Sequence, residues 1–105
     1  AGRLSIASLM LAAAKAPVLE FAASVLEPLE RADAEHGSQL VETLDAVLNH
    51  SGAINEVAAK LGTHRNTVRY RIEQIYRLTG LDPRSTPDAV QLTLARTARR
   101  LNRSE

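Results

Sequence analysis

Apolar residues recur at helical spacing along almost the whole chain, and no stretch alternates apolar and polar positions long enough for a useful strand. The first apolar segment predicts a helix over Leu4–Ala14 that stops before Pro17. Pro17 suits the first turn of a second helix, Val18–Leu26. The step Glu27-Pro28-Leu29 predicts an interruption or bend, then a short helical segment over Leu29–Asp33. Ala34–Ser38, with Gly37, reads as a loop. Ser38 or Gly37 then caps a helix running through Asn49, with Leu40, Val41, Leu44, Val47 and Leu48 inward. His50-Ser51-Gly52 reads as a turn. Ile54, Val57, Ala58 and Leu61 fall at i, i+3, i+4 and i+7, a single stripe. Val68, Ile72 and Ile75, closed by Leu78 or Thr79, mark a longer helix that Gly80 ends. Leu81–Ser85 is expected to cross irregularly, held by Asp82-Pro83. Thr86-Pro87-Asp88 predicts a helix start with a capping hydroxyl, Pro at the first helical position and acid in the first turn. That last helix is expected to bury Val90, Leu94, Ala98 and Leu101.

The stretch from Ala53 to Leu78 carries the most information. Its first stripe ends at Leu61-Gly62, where the chain leaves the helix in a conformation that Gly adopts without Cβ strain. Ala58 is small where two helices have to cross closely. Thr63 or His64 caps the next helix, Thr being the better capper. If Val68, Ile72 and Ile75 point inward, Arg65, Asn66, Arg69, Tyr70 and Glu73 face outward, with Thr67 and Arg71 on the shoulders. Two stripes joined by a short glycine turn, the second carrying Arg and Asn outside, read as a helix-turn-helix built for the DNA major groove. Arg makes two parallel bonds to guanine and Asn does the same to adenine, each worth roughly 1–3 kcal/mol of discrimination. Thr and Tyr hydroxyls go to phosphates, and the positive start of the helix, at Thr63 and His64, favours a phosphate too. The competing reading of the same residues is a solvated amphipathic helix.

The same residues carry a family resemblance. Leu40-Val41-Glu42-Thr43-Leu44, then Val57-Ala58-Ala59-Lys60-Leu61, then His64-Arg65-Asn66-Thr67-Val68-Arg69-Tyr70-Arg71-Ile72, and finally Leu78-Thr79-Gly80 follow one another. This series resembles the C-terminal helix-turn-helix of the PucR/CdaR family of bacterial transcription regulators. More loosely it is similar to the Fis-type helix-turn-helix. The resemblance runs from about Phe21 to Leu101 and is strongest over Leu40–Gly80; the Ala-rich opening, Ala1 to Ala16, lies outside it. It implies a regulator whose sensory region lies upstream and responds to a small-molecule effector, so that this chain is the DNA-binding end. The family's DNA-facing positions carry over to Arg65, Asn66, Thr67, Arg69, Tyr70 and Arg71.

Composition supports one small all-α domain, a helical bundle containing a Fis-like helix-turn-helix. The 105 residues are 45% hydrophobic but only 3% aromatic, so the core must come from Leu, Val, Ile and Ala. Cysteine is absent, which leaves neither disulfides nor thiolate metal sites. No apolar run approaches the roughly 18 residues of a membrane span. Ile6–Ala14 is apolar but short and ends against Lys15, so an amphipathic helix is preferred over a signal peptide. A cytoplasmic protein without membrane partner is the expectation. The chain divides into residues 1–36, a helical segment that completes the core or forms a dimer surface, and residues 37–105, the helix-turn-helix domain.

Charge changes the picture through its distribution. The net charge is only +1. Residues 1–50 hold three Lys/Arg against seven Asp/Glu, while residues 51–105 hold ten against five. A basic half faces phosphates in this reading, and the acids Glu27, Glu30, Asp33 and Glu35 are expected on the far side. Arg96, Arg99, Arg100 and Arg103, late in the last helix, admit two readings: a second phosphate patch, or side chains that complement the helix dipole.

Enzymatic chemistry finds no footing. His36, His50 and His64 lack metal-ligand spacing, and there is no glycine-rich phosphate loop or G-x-S-x-G elbow. No cofactor is expected. The partner expected is double-stranded DNA, read as half-sites about 34 Å apart by a homodimer of the intact regulator. The alternative is a helical protein-interaction or dimerisation module that reads no DNA, although the Arg-rich run suits a protein interface poorly. RNA readers need more stacking aromatics than this chain offers.

Overall fold

Leu26, Leu29, Leu40, Leu44, Ile75 and Leu92 lose all or nearly all of their solvent exposure and come from four different helices. The computed structural model describes residues 5–103, and those residues form six α-helices without a strand. They are α1 (Ile6–Ala13), α2 (Lys15–His36), α3 (Leu40–Asn49), α4 (Ile54–Leu61), α5 (Arg65–Thr79) and α6 (Thr86–Arg103). The fold is the all-α helical bundle expected.

Two apolar clusters build it. The larger joins Ala22, Val25, Leu26 and Leu29 of α2 to Leu40 and Leu44 of α3, Ile75 of α5, and Leu92, Ala95 and Ala98 of α6. The smaller joins Ala46 and Val47 of α3, Val57 and Ala58 of α4, and Val68 and Ile72 of α5. Helices α3 and α5 belong to both clusters, so they act as the beam on which α4 is carried.

Three sequence expectations are corrected near the amino-terminal side. Pro28 lies inside α2, which runs unbroken for 22 residues from Lys15 to His36, so the bend, the separate short helix and the first three residues of the loop Ala34–Ser38 are replaced by one helix of about 33 Å. A proline inside a helix removes one hydrogen bond and costs about 3 kcal/mol. Leu26 and Leu29, both fully buried, flank it, and two buried leucines each contribute roughly 1.5–3 kcal/mol, enough to hold the helix through the defect. The break expected before Pro17 falls at Ala14, whose φ of −139° separates α1 from α2, and Pro17 lies in the first turn of α2 as expected, although that helix begins at Lys15 and not at Val18. Leu4, at the expected start of α1, lies outside the described residues.

The start of α3 is capped from a distance. Neither Gly37 nor Ser38 does it. Gly37 ends α2 in the left-handed region, with φ 62° and its N–H on the Asp33 carbonyl. The Asp33 carboxylate then accepts the N–H of Leu40 at 2.7 Å and that of Val41 at 3.1 Å. Two orphan donors of α3 are thereby satisfied by the preceding helix. Along α3, Leu40, Leu44 and Val47 are buried as expected, Val41 and Leu48 half-buried, and Thr43 and Ala46 join the buried set.

The last helix is rotated relative to expectation. Ala98 is buried as expected, but Leu92 and Ala95 are buried with it, Leu94 and Leu101 are half-buried, and Val90 is 64% exposed. Reading by size favoured Val90 and Leu94. Alanines, however, let α6 lie close along α2, and that close approach sets the face. Its start also shifts by one: the Ser85 carbonyl accepts from Ala89, Thr86 is already helical, and the Asp88 carboxylate turns back to the Asp82 N–H at 2.9 Å. Asp82 braces the crossing, as expected, by accepting from the Arg84 N–H at 2.8 Å.

Candidate nucleic-acid interface

The turn between α4 and α5 forms as its residues dictate. Val57 and Ala58 are buried, with Ile54 and Leu61 packed against the same cluster. Gly62 takes φ 65°, and the Thr63 N–H returns to the Ala58 carbonyl at 3.0 Å. A Cβ at Gly62 would meet nothing within 4 Å, so the left-handed backbone, not crowding, is what calls for glycine here.

His64, not Thr63, caps α5. Its Nδ1 accepts the Asn66 N–H at 3.0 Å. The bond requires an unprotonated Nδ1, so in the neutral ring Nε2 carries the hydrogen and is a donor. Thr63 is half-buried beside it.

Helix α5 then divides into two faces. Val68, Ile72 and Ile75 are buried. Arg65, Asn66, Arg69, Tyr70 and Glu73 are exposed, and Thr67 and Arg71 are half-buried, the arrangement the spacing predicts. Leu78 stays 43% exposed, whereas Thr79 closes the helix: its hydroxyl donates to the Ile75 carbonyl at 2.7 Å and accepts the Leu81 N–H at 3.0 Å.

The arginines early in α5 differ in their partners. Arg65 and Arg69 have no ion-pair partner among the described residues. Arg71 is tied to α3 and the corner before it, donating to Gln39 Oε1 at 2.8 Å and to Thr43 Oγ1 at 3.4 Å. Sequence reading missed Gln39 and Thr43. Thr43 carried a signal, since a hydroxyl on an apolar stripe must find a partner once buried. Gln39 carried none.

The arginines of α6 are engaged within the molecule. Arg96 grips Asp45 through two bonds of 2.7 and 2.8 Å. Arg99 spans both oxygens of Glu30, and Arg103 adds a third bond at 3.0 Å. The hydrogen bond from Arg99 holds the Glu30 carboxyl below its ordinary value; partial burial opposes this, and the charges of Arg99 and Arg103 reinforce it. Hydrogen bonding to Asp45 and to Glu30 likewise raises Arg96 and Arg99 against the opposing effect of burial. Three of the four arginines read as a phosphate patch are therefore bolts between α6 and the acidic helices α2 and α3. The acids are not all remote from α5 either. Glu35 shares a groove with Gln74, Arg77 and Leu78, because the end of α2 packs beside the end of α5.

Among the described residues no three His, Cys, Asp or Glu side chains converge as a metal site, and no helix is long and apolar enough to cross a membrane.

A short helix, a left-handed glycine turn and a capped second helix with an exposed Arg/Asn face define the helix-turn-helix class of DNA-binding domain. Residues 40–98 match the family model of the PucR C-terminal helix-turn-helix domain, and the chain belongs to that family. It is a DNA-binding regulatory domain. Over 78 residues it is 47% identical to an uncharacterised protein of Mycobacterium tuberculosis, covering 74% of this chain and 18% of that protein. The DNA-binding transcriptional activator AdeR of Bacillus subtilis is 33% identical over 57 residues, 54% of this chain and 14% of the relative. The proline-responsive transcriptional activator PutR of the same organism is 34% identical over 64 residues, 61% and 16% of the two chains. The chain thus spans less than a fifth of the length of these relatives.

Proposed function

We propose that α5 enters the major groove of double-stranded DNA and that its first two turns do the reading. The observation that carries this is the exposed set Arg65, Asn66 and Arg69 directly after the His64 cap, whose side chains have no partner among the described residues. Arg65 and Arg69 are free to address guanine edges, and Asn66 an adenine. Thr63, His64, Thr67, Tyr70 and Arg71 flank them and fix register on the phosphates. The His64 Nε2–H lies at the positive end of α5, where an anion is favoured.

In the intact regulator, of the PucR/CdaR type, the domain works as a homodimer in the cytoplasm on two half-sites and answers to a small-molecule effector bound by an upstream domain. The relatives support this frame: AdeR and PutR are by name transcriptional activators, and PutR responds to proline. No catalytic role or cofactor is part of the reading.

Fluorescence anisotropy against a pool of random duplexes, at two salt concentrations, tests it. The native chain should bind with steep salt dependence and enrich a sequence that Arg65→Ala/Arg69→Ala fails to select. Equal enrichment by both proteins would sink the reading, and a chain fused to a dimerising coiled coil that still binds no duplex would point to a protein partner.

A further inference from the structure

Gln39 is one of two non-glycine residues with a left-handed backbone among those described, at φ 56°. Its side chain does not cap α3, because Asp33 already accepts the first N–H groups of that helix. What the conformation does accompany is a closed set of bonds. The Gln39 carbonyl accepts both the Thr43 N–H at 3.1 Å and the Thr43 hydroxyl at 2.7 Å. Its side-chain Oε1 and the Thr43 hydroxyl oxygen together accept from the two terminal nitrogens of Arg71. Strained backbone kept in place by its surroundings is a pointer to function.

The chemistry of the tether matters. Arg96 and Arg99 are held by carboxylates, which cancel their charge. Arg71 is held by an amide and a hydroxyl, both neutral. Its orientation is fixed while its full positive charge remains available, and a guanidinium has five donors, of which this tether uses two. Arg71 lines an open groove of about 450 Å³ with Thr67, Tyr70 and Gln74 on one wall and His36 and Ser38 on the other. No carboxylate among the described residues lines that groove, although Glu35 sits 3.8 Å from the His36 Nε2. A cation pre-oriented by neutral groups, in a groove running beside the reading face, suits an anion on the flank of the site and not a base edge at its centre.

We propose that Arg71 binds a backbone phosphodiester of the DNA strand lying against the corner between α2 and α3, and that Gln39 is the positioning residue that holds it there. This rests on the DNA reading of α5. The arginines then divide the work. Arg65 and Arg69 choose the sequence, and Arg71 sets the register of α5 on the duplex.

The test uses the native chain, Arg71→Ala, Gln39→Gly and their combination, with Arg65→Ala as a reference, on the duplex enriched by the native chain and on its single-base variants. Gly at position 39 keeps the left-handed backbone without strain, so its melting temperature reports whether the corner still folds. Arg71→Ala should weaken all duplexes alike and reduce the salt slope by about one phosphate. Gln39→Gly should weaken them roughly three- to tenfold with base preferences unchanged, since an arginine must then be ordered on binding. Added to Arg71→Ala it should do nothing more. A changed preference at one base in Arg71→Ala, or native affinity in Gln39→Gly, overturns the proposal while leaving the DNA reading intact. Failure of the native chain to bind any duplex overturns both.

Discussion

Asp33, three residues before the end of α2, places its carboxylate oxygen 2.7 Å from the backbone N–H of Leu40, the first residue of α3. Its second oxygen takes Val41, and its own carbonyl receives Gly37. One side chain therefore fixes the angle between α2 and the helix on which α5 rests. Asp33→Ala should lower stability by about 1–2 kcal/mol, the scale of a lost N-cap, and the melting temperature by several degrees. Asp33→Asn, which keeps one acceptor, should fall between. Thermal unfolding followed by circular dichroism decides it, and an unchanged midpoint in Asp33→Ala would refute the remote cap.

Arg96 and Asp45 should behave as a coupled pair. The Arg96 side chain is only 11% exposed, so Asp45→Ala strands a largely buried guanidinium. We expect a loss of roughly 2–3 kcal/mol, more than Arg96→Ala/Asp45→Ala loses relative to Arg96→Ala alone. A double-mutant cycle in urea measures the coupling; additive effects would show that the two bonds contribute nothing net.

Glu30 sets an acid dependence. Its folded-state carboxyl is held below the ordinary 4.5, so ionisation favours the folded chain. The contribution is complete above the unfolded value and is lost as pH falls through the lower, folded one. Native stability should therefore decline on acidification below about pH 5, and Glu30→Gln should flatten part of that decline. Parallel pH profiles for the two proteins would remove Glu30 from the account.

Pro28 offers a gain. Its side chain is half-buried and its position lacks the N–H that the Ser24 carbonyl would otherwise accept. Pro28→Ala should restore that bond and stabilise by about 1 kcal/mol or more, the helix gain being offset in part by a freer unfolded chain. A lower melting temperature would mean that the ring is needed for packing.

Arg99 and Arg65 should separate cleanly. Arg99→Ala should reduce stability and leave the salt slope of DNA binding unchanged, because its guanidinium is already held by the Glu30 carboxylate and turned away from a phosphate. Arg65→Ala should leave the fold intact and relax selection at one base, by roughly 1–3 kcal/mol. Loss of salt slope in Arg99→Ala would restore the phosphate patch on α6.

By itself the sequence determined the local features: the stripes of α4 and α5, the left-handed Gly62 between them, and the outward set from Arg65 to Tyr70. Each depends on residues within one or two turns, where side-chain periodicity and backbone preference act without help from the rest of the chain. What it left to the tertiary structure was every feature that joins distant segments. Pro28 reads as a break because locally it is one, and only the burial of Leu26 and Leu29 carries α2 past it. Val90 reads as core because it is large, yet close packing against α2 selects Leu92 and the small Ala95 beside the expected Ala98. Arg96, Arg99 and Arg103 read as part of a basic patch until Asp45 and Glu30 engage them, Asp45 lying 51 residues from Arg96 and Glu30 69 from Arg99. Gln39 and Arg71, 32 residues apart, meet only when α3 and α5 pack. A charge declares its sign in the sequence, but whether it faces solvent, DNA or a carboxylate is decided by which helices the core brings together.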